Sequence, residues 1–220
     1  MKKIVWNNIL LATLLSIFAA SAFGDDMSTN QPTTMPTLAP ADFAWDASLV
    51  NLKEIRLGEA AQSNSQNTAV QEFGRHMVRD HTRMNARLAR IANSEGLALP
   101  ETNSFYIPVQ VPEPKQATEL MQQTPQEKLQ MAQLDVQHLA SLTGPEFDQA
   151  YATAMVNGHA KVIQKFQDAS SSLQDEDLKK YADRSLRTVR DHYEMAQKLQ
   201  NEVMTNAPAG TMTNSMPGSM

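Results

Sequence analysis

The most regular feature of the chain is a stripe of apolar positions. Val70, Phe73, Met77, His81, Met84, Leu88 and Ile91 recur at alternating steps of three and four, which puts them on one side of an α-helix. The pattern predicts a helix over about 67–94, stopped at Gly96 with Pro100 beyond it. The same reasoning predicts a first helix from an Asp42 N-cap to about Gln62, and two more over about 145–170 and 175–204. Thr124-Pro125-Gln126-Glu127 forms a capping box with proline at the first helical position. It opens a shorter helix that carries Leu129, Ala132, Val136 and Leu139 on one side and closes at Gly144. Residues 97–124 hold Pro100, Pro108, Pro112 and Pro114 and read as an extended crossing.

An internal echo groups these helices. Val78-Arg79-Asp80-His81 is followed by Met84 and Leu88; Val189-Arg190-Asp191-His192 is followed by Met195 and Leu199 at the same offsets. The second and fourth long helices therefore read as equivalent members of two hairpins joined by a long connection. The predicted fold is all-α, a ferritin-like four-helix bundle over 43–204 whose long crossover contains a short extra helix. Eight glycines and few β-branched clusters leave little material for a sheet.

The two ends differ from this centre. Lys2 and Lys3, the apolar run Ile9 to Ala20 and the small residues Ala20-Ser21-Ala22 read as a signal peptide over 1–24. The run is too short for a permanent membrane span, which needs ~20 residues. Residues 25–42 read as a flexible tether, and 205–220 as a disordered, methionine-containing tail. The expected location is the periplasm, with secretion to the medium as the second possibility. The absence of cysteine excludes disulfides, a lipid anchor and thiolate chemistry. With 19 basic against 24 acidic side chains, and two lysines in the leader, the chain lacks a nucleic-acid footprint. No later segment reads as membrane-spanning, so the mature chain is expected to be soluble rather than an integral membrane protein.

Several local signatures resemble one family. They are Asn51-Leu52-Lys53-Glu54-Ile55 with Leu57-Gly58, Met77-Val78 with Asp80-His81-Thr82, and the stop Gly96-Leu97-Ala98-Leu99-Pro100. Gly144 with Phe147-Asp148-Gln149-Ala150-Tyr151, Met155-Val156 with Gly158-His159, and Leu186 with His192 and Met195-Ala196 complete the set. Over residues 43–203 the chain resembles an exported bacterial domain-of-unknown-function family with a ferritin-like fold, often labelled "predicted outer membrane protein". The resemblance implies fold and export, and it brings no activity. No alternating strands of barrel length accompany the outer-membrane label.

One polar residue falls on the apolar stripe of each long helix: Glu54, His81, His159 and His192. Each is spaced three, four or seven residues from apolar neighbours and is expected to point inward. At a rise of ~1.5 Å per residue, a crossover connection brings all four to within about a turn and a half of one level. Three imidazoles and a carboxylate suit a single transition metal ion such as zinc, copper or iron. The competing reading is a polar core in which the four groups satisfy one another by hydrogen bonds. A ferritin-type dinuclear centre is not expected, because it needs Glu-x-x-His on two helices and the chain has none. Asp135-x-x-His138 has related spacing but lies on the crossover helix without a mate.

Arg75, Arg79, Arg83 and Arg87 step by four along one helix as a basic ridge. The ridge is open to an anionic partner or to simple pairing with neighbouring acids. Met27, Met35, Met212, Met216 and Met220 in the two tails could hold copper(I) through thioethers, or reflect low-complexity composition. There is no Gly-x-Ser-x-Gly elbow and no phosphate-cradling glycine loop. The reading from sequence is a non-catalytic binding or protective protein of the cell envelope, with a periplasmic metal-binding protein as the rival.

Overall fold

The computed structural model describes residues 38–106 and 124–205. They are all-helical: α1 Pro40–Asn64, α2 Thr68–Glu95, a 3₁₀ turn Ser104–Tyr106, α3 Pro125–Ala140, α4 Gly144–Ser172 and α5 Glu176–Thr205. The predicted leader, most of the tether, the tail methionines and part of the crossing lie outside the described residues. No helix among those described is long and apolar enough to cross a membrane.

Local chemistry accounts for most helix ends. Asn67 caps α2 by accepting from the Ala69 amide, and Gly96 ends it at φ 68°, a left-handed conformation suited to glycine. Thr124 and Glu127 form the reciprocal capping box at the start of α3. Asp175 accepts from the Leu178 amide and caps α5. Two expectations are corrected. Asp42 is not the cap of α1: the helix begins at Pro40, whose fixed φ suits the first position, and Asp42 lies in the first turn. Gly144 does not close α3, which ends at Ala140; its positive φ of 60° instead opens α4 ahead of Pro145.

The helices form two antiparallel hairpins, α1 with α2 and α4 with α5. In the first, Ser48 bonds Asn85 and Asn51 meets His81, while Gly58 lies against Gly74 nearer the turn. A Cβ on Gly58 would stand 2.6 Å from the Gly74 carbonyl oxygen, so these glycines let the two backbones touch. In the second hairpin, Ser170 pairs with Asp183 and Gln200 with Thr153. Across the hairpins, Phe43 packs on Phe166 while Glu54 lies beside Gly158, so α1 and α4 run in opposite directions. It follows that α2 and α4 run the same way, and the connection must return the length of the molecule between them. Lys53–Asp135 and Lys128–Asp46 ion pairs hold α3 of that connection against α1.

The apolar core is divided in two. One cluster contains Leu57, Val70, Phe73, Met77, Tyr151, Met155 and Leu199. The other contains Phe43, Met84, Val162, Phe166, Tyr181, Leu186 and Val189. His81 lies in sequence between Met77 and Met84, His159 between Met155 and Val162, and His192 between Val189 and Leu199, so a polar layer separates the clusters.

Candidate metal centre

Burying a polar side chain is costly unless it finds partners. His81, His159 and His192 are nevertheless 1–2% exposed, in a layer that also contains the buried side chains of Asn51 and Glu54. The three rings come from α2, α4 and α5, with centroids 5.2–6.0 Å apart. One nitrogen from each lies within 4.8 Å of those offered by the other two. Zinc–nitrogen bonds of about 2.0–2.1 Å in a tetrahedron require ligand nitrogens roughly 3.4 Å apart, which rotamer adjustments of modest size would reach.

Each ring commits one nitrogen to a protein acceptor. His81 Nδ1 lies 3.0 Å from Asn51 Oδ1, and an amide oxygen only accepts, so Nδ1 carries the proton. His159 Nδ1 donates to the Met155 carbonyl at 2.8 Å, one turn back on its own helix. His192 Nε2 donates to Asp80 Oδ2 at 3.2 Å. The other nitrogens, His81 Nε2, His159 Nε2 and His192 Nδ1, are buried and have no hydrogen-bond partner. In a neutral ring, the nitrogen opposite the donating one bears the lone pair. Three buried imidazoles thus present three unprotonated nitrogens in one layer. No hydrogen bond joins these rings to one another or to Glu54.

The outer contacts are themselves anchored. Asn51 also donates from Nδ2 to the buried Tyr181 hydroxyl at 3.0 Å, with its Oδ1 turned toward His81. Asp80 is gripped by Arg79 through two bonds of 2.8 and 2.9 Å, with Arg83 at 3.7 Å. The Arg79 hydrogen bond holds the Asp80 carboxyl down at about 2. Burial, then the neighbouring His159, pushes His192 down to about 4. Burial and the other two rings push His81 well below the usual imidazole range. Both rings therefore prefer the neutral form that a metal needs.

Glu54 is buried on α1, one turn from Asn51, but does not belong to the mutually close set. Its Oε1 faces Gly158 beside His159, and its Oε2 has no hydrogen-bond partner. His138 stays outside the layer, and its neighbour Asp135 pairs with Lys53. Much of the arginine ridge pairs locally: Arg75 with Glu72, and Arg79 and Arg83 with Asp80.

Asn51 and Asp80 are hydrogen-bond partners of the histidine layer that sequence reasoning did not assign. Asn51 follows Ala47 by four and precedes Glu54 by three, so it shares their inward face; that spacing was the available signal. Asp80 carried no such signal, because it sits beside the stripe and bonds a residue 112 positions away.

The fold and the layer thus define an all-helical domain with three converging histidines. A family described as a domain of unknown function, DUF4142, matches residues 26–199, and the chain belongs to that family. Comparison with curated proteins and with solved structures gives no match.

Proposed function

We propose that this protein binds one transition metal ion through His81, His159 and His192. The observation that carries the proposal is the set of three buried ring nitrogens, each made a lone-pair donor by a hydrogen bond at its opposite nitrogen. Metal-ligating histidines characteristically donate their second N–H to a carboxylate, an amide or a backbone carbonyl. Here the carboxylate is Asp80, the amide oxygen is Asn51 and the carbonyl is Met155. A hydrogen-bonded structural core would instead spend both nitrogens on protein partners.

Three neutral imidazoles suit zinc, copper or iron, and leave a coordination position that the helices do not fill. A divalent ion in a buried layer needs a counter-charge. Glu54 is the acidic group placed to supply it, either as a fourth ligand after a rotamer change or from beyond the first contacts. Apolar clusters on both sides limit access to water, which favours holding an ion over exchanging it.

The surrounding architecture is consistent with a ferritin-like four-helix bundle whose crossover carries α3, supported by the opposed directions of α1 and α4. The leader-like residues 1–24 support export to the cell envelope, and the family match opens just beyond them at residue 26. In this reading the protein is a periplasmic metal-binding protein.

Titrating metal-free protein with cobalt(II) tests the site. Visible d–d bands of a four- or five-coordinate ion should rise to saturation at one equivalent and be displaced by zinc. Featureless spectra at all cobalt levels would refute the proposal.

A further inference from the structure

Outside the His192–Asp80 pair, a cavity of about 440 Å³ lies between α2 and α5. Its volume falls within the range of small-molecule pockets, roughly 300–1,000 Å³. Arg79, Arg83 and Arg87 line it from α2 at successive turns, and Asp80 and His192 close its inner side. Met84 and Met195, at equivalent positions of the two echoed segments, supply its apolar wall. Asp191 is the remaining acid on its lining. Among the described residues, Arg87 has no ion-pair partner, and Arg83 reaches Asp80 only at 3.7 Å. Three guanidinium groups therefore face one concave space on a chain whose formal net charge is −5.

We infer that this cavity binds a small oxyanion, and that its occupancy tightens the metal centre through Asp80. The second half rests on the metal reading above; the first does not. Guanidinium groups at successive helical turns can offer forked N–H pairs to a carboxylate, sulfate or phosphate group. Asp80 is the shared element. It faces the cavity, accepts from His192 Nε2, and is neutralised by Arg79 and Arg83. An anion that draws the two arginines toward itself leaves more negative charge on the carboxylate facing His192. A ring hydrogen-bonded to a more charged acceptor is a stronger donor at its other nitrogen, Nδ1. Linkage then requires the reverse effect, so bound metal must tighten the anion by the same factor.

Sulfate is a suitable probe because its zinc salt is soluble. Calorimetric titration of sulfate into the metal-free and the zinc-loaded full mature chain should show saturable binding at one site. The Arg83→Ala/Arg87→Ala protein should weaken it at least tenfold. Zinc affinity, measured against a competing chelator, should rise about fivefold or more with saturating sulfate, and this gain should vanish in Asp80→Asn, which keeps the acceptor oxygen but not the charge. Absence of saturable sulfate binding in both forms, or binding unaffected by the double arginine change, overturns the site. Equal zinc affinity with and without sulfate overturns the coupling. Should zinc fail to bind at all, the metal reading and the coupling fall together, and the metal-free titration still decides the anion site.

Discussion

Asp80 of α2 accepts a hydrogen bond from His192 Nε2 of α5 at 3.2 Å, the direct polar link between the two echoed segments. The bond sets the tautomer of His192 and turns its Nδ1 into a lone-pair donor within the polar layer. Arg79 in turn holds the Asp80 carboxylate that hydrogen-bonds this buried ring.

Replacing Asp80 by Asn should leave helicity unchanged and lower metal affinity by about 10–100-fold, the usual effect of removing such an outer partner. A competition titration with a chromophoric chelator measures it. Unchanged affinity would mean that the Asp80–His192 bond plays no part in the site.

Metal-free protein should lose stability on mild acidification. His192 takes up its proton near pH 4 in the folded chain, and His81 also well below its ordinary value, while both titrate near 6.5 when unfolded. Below about pH 6.5 the unfolded state then binds more protons, so its population is favoured as pH falls toward 4. Asp80 and Asp191 temper the effect on His192, whereas the neighbouring rings reinforce it for His81. His192 alone accounts for roughly 3 kcal/mol across that window. Asp80, held at about 2, stays ionised throughout it. Urea midpoints in the presence of chelator should fall steadily from pH 7 to pH 4.5; a constant midpoint would contradict the burial of neutral rings.

Gly74→Ala should destabilise the fold by about 1–3 kcal/mol, because the added methyl is overpacked between two backbones. Its Cβ would lie 2.7 Å from both the Ala61 Cβ and the Gly58 carbonyl oxygen. Urea denaturation provides the measurement, and a neutral result would show that α1 and α2 can part without cost.

The helices and the inward aim of the histidines were legible in the sequence because both follow from periodicity along a single segment. His81, His159 and His192 each occupy a stripe position, and three- and four-residue spacing leaves them no other face. What periodicity cannot supply is the identity of neighbours on other helices. The bond from His81 to Asn51 spans 30 positions and that from His192 to Asp80 spans 112, so neither has a local signature. Glu54 presents the opposite case: its stripe position anticipated burial, but its carboxylate stands beside the three rings rather than among them. Helix ends erred in the same local way, since Pro40 and Gly144 each carry two structural meanings that only the folded backbone separates.

The most direct test of the account is the metal content of untagged protein after exhaustive dialysis, compared between wild type and His159→Ala. Wild type should hold close to one equivalent of a transition metal and the variant none. Metal addition should raise the melting temperature of wild type alone, a gain worth about 2.7 kcal/mol at a hundred times the dissociation constant. Wild-type protein that neither retains metal nor is stabilised by it, or a His159→Ala protein that retains as much, would contradict the account.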